Sequence, residues 1–359
     1  MSSAPALTRR RLAMAGYGAV GQALTELLGR TRNEVERTFA ATFDVTAIGT
    51  RRAGLVVDPE GIHGERLSAI ARGEPAAAPG SPEDLPAFLA DPSAPYDVLV
   101  EVTTQSPADG EPAASHIRAA LRSGRDAVTA NKGPIAWHAS GLDGIAAATG
   151  ARLRYEAALM DCLPTHPIRE SLVPVGRVLS FAGIVNATTN AILSAMAEGR
   201  SAADALADAQ RAGVAEADPR NDLEGHDAAL KATILANLLL DPEVPLRPDA
   251  VERRGLEAVP DAWPGQAVAR GARVRLVARG TCEQDGERRS VLVRVAPEEL
   301  SLDDSLAAVG GSSMALRVTS EFGGRLQLTL LDAPVQETAY AILMDLVALE
   351  RERPSRGRR

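Results

Sequence analysis

The segment Glu216-Ala217-Asp218-Pro219-Arg220-Asn221-Asp222-Leu223-Glu224-Gly225-His226-Asp227-Ala228-Ala229-Leu230-Lys231 holds five carboxylates and ends on a lysine. Asp227 and Lys231 are four residues apart, so on a helix they share one face. One reading of that pair is an exposed, helix-supporting ion pair worth about 0.3–0.5 kcal/mol. Asp227 equally suits the start of a helix. The other reading begins from the crowding of Glu216, Asp218, Asp222 and Glu224 ahead of the pair. Such a loop repels itself unless cations satisfy it, and a substrate ammonium, Lys132 and Lys231 would supply them.

A second polar stretch, Thr129-Ala130-Asn131-Lys132, follows an expected parallel strand. In open α/β sheets ligands bind at that carboxyl end. A lysine there can orient a substrate or relay a proton, whereas a lysine after a strand is otherwise a surface residue.

Gly16-Tyr17-Gly18-Ala19-Val20-Gly21 fits G-x-G-x-x-G directly after a strand and at the opening of a helix. The first glycine permits a tight turn and the second lets a pyrophosphate approach the backbone. The third allows close packing of helix on strand. Free N–H groups and the positive end of the helix dipole then face the phosphates. An NAD site places a carboxylate at the end of the next strand. Here Val45 to Ile48 run into Gly49-Thr50-Arg51-Arg52, with no acid until Asp58. Arg51 and Arg52 suit a 2′-phosphate, so the expected cofactor is NADP; NAD stays open, as does the reading of two solvated loop arginines.

The elements that must hold these groups fall into three stretches. Residues 11–135 alternate strand and helix, as in a parallel sheet covered by helices. The expected strands are Arg11 to Ala15, Val45 to Ile48, Asp97 to Val102 and Asp126 to Thr129, with helices Gln22 to Gly29 and Ser115 to Ser123. Residues 150–245 read as an α+β unit with a strand at Leu153 to Ala157, another at Val178 to Val185, and helices at Asn190 to Glu198, Ala202 to Ala212 and Asp227 to Leu240. Residues 265–350 supply strands at Arg273 to Ala278, Ser290 to Val295 and Leu326 to Leu331, then a closing amphipathic helix, Glu337 to Leu349.

Composition narrows the class. A chain of 359 residues suits two domains, or one carrying a large insertion. Its net charge of -8, with basic clusters at the two ends, argues against a nucleic-acid partner. Two cysteines, Cys162 and Cys282, make no disulfide framework and fit a reducing compartment. Cys162 has no histidine motif beside it, and His166 and His226 lack metal-ligand spacing. Arg9-Arg10-Arg11 followed by Leu-Ala-Met-Ala imitates an export signal, but Gly16, Gly18 and Gly21 interrupt it. With no apolar run of about 18 residues, the expectation is a cytoplasmic protein with no membrane partner.

Gly16 to Gly21, Glu101-Val102-Thr103, Ser115 to Leu121, Thr129 to Pro134, Asn186-Ala187-Thr188-Thr189-Asn190-Ala191-Ile192-Leu193 and Glu216 to Lys231 together resemble homoserine dehydrogenase. The resemblance runs in order from about residue 11 to about residue 350. It implies that Lys132 and Lys231 are the catalytic lysines, that Asp227 orients the second, and that Glu216, Asp222 and Thr188 contact the amino-acid substrate. It implies cofactor contacts from Gly16, Tyr17, Gly18, Ala19, Val20, Gly21, Thr103 and Lys132, beside the Arg51 and Arg52 offered by the end of the second strand. It also implies a monovalent cation held by backbone carbonyls around Glu156, Leu159, Asp161 and Leu163, and a homodimer formed through the inserted sheet.

The sequence departs from the family pattern in places. Asp161 and Cys162 stand where glycines are usual and are expected to narrow or repolarise the pocket. Leu330-Leu331-Asp332-Ala333-Pro334 replaces a second glycine motif, Asn186-Ala187-Thr188 replaces Asn-Gly-Thr, and Val214 replaces an aromatic residue.

The expected architecture is a Rossmann-type, doubly wound α/β sheet with an inserted α+β catalytic and dimerisation domain. The expected boundaries are 1–150 for the NAD(P)-binding domain and 151–300 for the insert. Residues 301–350 return to the first domain, 351–359 form a basic tail, and no attached regulatory module is expected. The expected reaction is reversible, NADP(H)-dependent interconversion of aspartate 4-semialdehyde and homoserine. A related dehydrogenase of another amino or hydroxy aldehyde, and a non-catalytic NADP-binding sensor, are the alternatives.

Overall fold

The computed structural model describes residues 7–74, 84–285, 288–331 and 337–353. The chain divides into two compact units, Met1–Asp161 with Gln336–Arg359, and Cys162–Val335.

The first unit is built on a sheet ordered β3-β2-β1-β4-β5-β6. Its strands are β1 (Thr8–Ala15), β2 (Ala41–Thr50), β3 (Gly54–Val57), β4 (Val98–Glu101), β5 (Asp126–Thr129) and β6 (Leu153–Arg154). All pairings are parallel except that of β3 with β2. Leu12 to Ala15 and Val98 to Val100 are wholly buried, as apolar strands covered on both faces must be. The unit's helices are α1 (Ala19–Phe39), α2 (Glu65–Arg72), α3 (Leu85–Ala90), α4 (Ala113–Arg122) and α5 (Lys132–Thr149). The chain passes from β1 to β2 on one side and later to β4 on the other. The strand order therefore reverses at β1, and a ligand crevice opens at the carboxyl ends of β1 and β4.

The second unit carries α6 (Thr165–Pro167), β7 (Val178–Ile184), α7 (Ala187–Ala197), α8 (Ala202–Arg211), α9 (Arg220–Leu223) and α10 (His226–Leu235). Next come β8 (Glu252–Arg253), α11 (Ala262–Ala269), β9 (Ala272–Asp285), β10 (Arg288–Ser301), β11 (Met314–Ser320) and β12 (Gly324–Leu330). Its sheet is ordered β12-β11-β7-β9-β10-β8 and is antiparallel apart from the β8–β10 pair. The chain then returns to the first unit as α12 (Glu337–Arg351).

Several sequence expectations need correction. The first boundary falls after Asp161 rather than at 150, and residues 301–335 stay in the second unit. Pairing explains both. β11, absent from the sequence reading, joins β7 through Ala315 and Ile184 and carries β12 with it. Only α12 crosses back, placing Ile342, Leu346 and Leu349 in the first unit's core. The strand expected at Leu153 to Ala157 stops at Arg154, because the Glu156 N–H donates to Asp345 Oδ2 on α12 at 2.9 Å instead of to a neighbouring strand. The first helix runs to Phe39 rather than Gly29, with Leu24 and Val35 buried on one side. Of the expected basic tail, Arg351 closes α12 and Arg353 reaches Asp126 at 2.8 Å. Residues 354–359 and Asp332-Ala333-Pro334 lie outside the described residues.

Candidate active site

At the crevice of the first unit, the Gly16 N–H donates to Gly49 O at 2.9 Å, tying the glycine turn to the end of β2. Gly16 has φ +95, and a Cβ there would stand 2.6 Å from Val102 O. Its requirement for glycine is therefore both conformational and steric. Gly21 holds helix to strand, since its Cβ would meet Met14 and Tyr17 side-chain atoms at 3.2 Å. Gly18 differs, because an added Cβ would find nothing within 4 Å. It caps α1, and Ala19 and Val20 begin the helix with the unpaired N–H groups of its first turn. This open cradle fits a dinucleotide pyrophosphate. Tyr17 turns its ring inward, its hydroxyl 2.9 Å from Thr25 Oγ1, so that only its backbone belongs to the turn.

Arg51 and Arg52 lie exposed in the turn after β2. Neither guanidinium meets a carboxylate among the described residues, and Asp58, the first acid after the strand, is paired with Arg66. At the ends of β4 and β5 a closed hydrogen-bond ring forms around the fully buried Glu101. Glu101 Oε1 accepts from the Thr103 N–H at 3.1 Å and from its hydroxyl, and Oε2 accepts from Thr129 Oγ1 at 3.1 Å. The Asn131 N–H donates to Thr129 Oγ1 at 2.9 Å, and Asn131 Nδ2 donates to Thr103 O at 3.2 Å. Thr103 and Asn131 are thereby held across adjacent strand ends. Lys132 follows as the first residue of α5 and donates to Gln105 Oε1 at 3.2 Å.

In the second unit, α10 brings Asp227 and Lys231 to one face. Gly225 precedes the helix in the left-handed region (φ +76). Lys231 is 7% exposed; its Nζ donates to Val185 O at 2.8 Å and stands 3.3 Å from Asp227 Oδ2. Asn186, the residue capping α7, donates from Nδ2 to Asp222 Oδ1 at 2.8 Å and to Asp227 Oδ2 at 2.9 Å. Its Oδ1 accepts the Thr189 N–H at 2.8 Å. Burial first, and then repulsion from Asp227, raise the Asp222 carboxyl above the ordinary value, while Asn186 and Lys231 oppose the shift. Thr188 donates to Val214 O at 2.9 Å, fastening the start of α7 to the loop ahead of α9.

The structure thus brings together Lys231, Asp227, Asp222 and Thr188's helix. Among the described residues Glu216 is not in this hydrogen-bond network: its side chain is exposed, and its carbonyl accepts from Gln210. Sequence reasoning assigned no role to Asn186 or Glu101. Asn186 carried a usable signal, an N-cap residue type directly ahead of a helix. Glu101 carried little beyond being an acid in an apolar strand.

A monovalent cation at backbone carbonyls around Glu156, Leu159, Asp161 and Leu163 is an expectation from the resemblance. The Glu156 carbonyl accepts the Leu159 N–H at 3.0 Å, Leu159 and Asp161 fall in the first unit, and Leu163 falls in the second. Asp161 occupies a left-handed conformation (φ +51), the kind of position where glycine is favoured. Its carboxylate accepts from Thr338 Oγ1 at 2.9 Å, which ties the expected pocket-altering side chain to the start of α12.

A parallel sheet with a glycine turn at its switch point, and a matching NAD-binding-domain model over residues 16–156, define an NAD(P)-dependent oxidoreductase. Residues 165–347 match the homoserine dehydrogenase model, and the chain belongs to the homoserine dehydrogenase family. It is 33% identical over 345 residues to the NAD(+)-dependent homoserine dehydrogenase of Pseudomonas canavaninivorans, covering 95% of this chain and 96% of that protein. It is 36% identical over 356 residues to the homoserine dehydrogenase of Mycobacterium tuberculosis, covering 97% of this chain and 74% of that one. A solved putative homoserine dehydrogenase from Archaeoglobus fulgidus superposes with a TM-score of 0.79 at 31% identity, covering 95% of this chain and 99% of that chain. A homoserine dehydrogenase from Thiobacillus denitrificans superposes with a TM-score of 0.80 at 28% identity, covering 96% and 74% respectively.

Proposed function

We propose that this protein interconverts aspartate 4-semialdehyde and homoserine reversibly, with NADP(H) as the preferred cofactor. The observation that carries this reading is the nearly buried Lys231–Asp227 pair, joined through Asn186 to Asp222. NADP(H) supplies the hydride that the aldehyde carbon accepts. The Lys231 ammonium donates to the carbonyl oxygen as charge develops on it and delivers the alcohol proton. Asp227 orients that ammonium. Asp222 and Glu216 receive the substrate's amino group, and Thr188 lines its pocket. Lys132, following the ring around Glu101, is assigned as the second catalytic lysine.

The exposed Arg51 and Arg52, with no acid at the end of β2, favour the 2′-phosphate of NADP. The relative named as NAD(+)-dependent favours NAD as the second reading. Oxidation of NADPH and of NADH with aspartate semialdehyde, compared side by side, tests both. Faster turnover with NADPH supports the proposal, preference for NADH supports the second reading, and silence with both removes the substrate assignment. We further assign the protein to the cytoplasm as a homodimer built through the second unit. Light scattering of the purified protein tests the dimer, and a monomeric mass would refute it.

A further inference from the structure

Arg275 lies on β9 in the second unit and is 4% exposed. Its Nη1 donates to Ser194 Oγ and Val274 O at 3.3 Å each, and its Nη2 donates to Ala307 O at 3.2 Å. All three acceptors are neutral, and the buried Nε has no hydrogen-bond partner. Burial and the neighbouring Arg273 lower the Arg275 pKa to about 10, so it still carries its charge at neutral pH. A buried guanidinium without a counter-ion is strongly unfavourable.

Among the described residues, no carboxylate pairs with it. Glu298 stands directly across the β9–β10 ladder from Arg275, but its carboxylate is engaged by Arg279 at 2.7 Å and Arg294 at 3.0 Å. Asp304 is engaged by Arg317 at 2.7 Å. Arg273 donates to a carbonyl, Ala272 O, at 2.8 Å.

The surroundings are rich in donors. Ser194 Oγ accepts from Arg275 and also from the Gly311 N–H at 3.0 Å, which leaves its own hydrogen to donate. The Gly310 N–H makes no hydrogen bond among the described residues. Gly310 has no side chain over this corner, and a Cβ there would stand 3.6 Å from Arg275 Nη2 and 3.7 Å from Ser194 Oγ. Asn190, one turn before Ser194 on α7, fastens the same loop by donating to Val309 O at 3.2 Å and Ser313 O at 2.9 Å.

We propose that Arg275, Ser194 and the Gly310–Gly311 loop form a binding site for a small oxyanion, either a phosphate group or a carboxylate. The guanidinium supplies the charge, the serine hydroxyl and the Gly310 N–H supply direction, and the absent side chain at Gly310 supplies room. The site is separate from the Lys231 cluster and does not depend on the substrate assignment.

Inorganic phosphate, and separately acetate, titrated calorimetrically at an ionic strength held constant with chloride, provide the test. Wild-type protein is expected to give a saturable heat with at least one anion. Tighter phosphate assigns a phosphate group, and tighter acetate assigns a carboxylate. R275M and G310V are each expected to weaken that binding about tenfold or more, as losing or blocking one charge-assisted contact should. G310V keeps the charge and fills the space, so it decides the matter if R275M does not fold. Absence of saturable heat with either anion, or binding unchanged in G310V, would overturn the proposal.

Discussion

Lys231 Nζ lies 3.3 Å from Asp227 Oδ2, one turn earlier on α10, and both side chains are largely withdrawn from water. An exposed pair at this spacing contributes little. Withdrawn, the carboxylate fixes where the ammonium sits. Lys231→Ala is expected to lower kcat by about a thousandfold, with NADPH affinity within about twofold of wild type. Steady-state rates and NADPH fluorescence titration check this, and a large loss of cofactor affinity would reassign the residue.

Asn186 holds Asp222 and Asp227 at once and caps α7. Asn186→Ala removes the cap, worth about 1 kcal/mol, and leaves two carboxylates short of a donor at about 1–3 kcal/mol each. The melting temperature should fall and KM for the amino-acid substrate should rise. A variant with wild-type stability and KM would show that the bridge is dispensable.

The raised Asp222 pKa gives stability a definite pH dependence. The folded protein binds this proton more tightly than the unfolded chain does. The favourable contribution is therefore greatest at low pH and is lost as pH rises from about 3.9, the unfolded value, through the higher folded value. Asp222→Asn should raise the melting temperature at about pH 7.5 and change it little near pH 4, while impairing turnover. Thermal melts at both pH values decide this, and destabilisation at the higher pH would contradict it.

Gly16 and Gly18 should separate folding from binding. Gly16→Ala forces a Cβ against Val102 O in a left-handed conformation, costing about 1–2 kcal/mol in backbone strain before the clash is counted. Gly18→Ala meets no neighbour, so its melting temperature should be unchanged while NADPH affinity drops about tenfold or more. Equal affinity in the Gly18 variant would show that the pyrophosphate does not lie on this glycine.

Replacing Arg51 and Arg52 together with glutamine should reduce kcat/KM for NADPH about tenfold or more and leave NADH nearly unaffected. Equal losses with both cofactors would remove the 2′-phosphate assignment.

Much of this was legible from short-range pattern. Asp126 to Thr129 is a strand with the bounds read from the sequence, with Ala127 and Val128 wholly buried between the two faces. The glycine turn was readable because it needs only neighbours in sequence. Met314–Ser320 was missed because its β character comes from pairing with residues near 180 and 327, far away along the chain. The C-terminal boundary failed for the same reason.

The sequence by itself determined the family, the glycine turn, and the helix periodicity that sets Lys231 beside Asp227. These depend on residue type and local spacing alone. Only the tertiary structure decided that Asn186 bridges Asp222 and Asp227, that Glu216 stands outside that network, and that Glu101 closes a ring between Thr103 and Asn131. It also decided that Arg275 is buried without a counter-ion. Burial and the direction of a side chain depend on which distant strands and helices pack around it, and no local pattern encodes that.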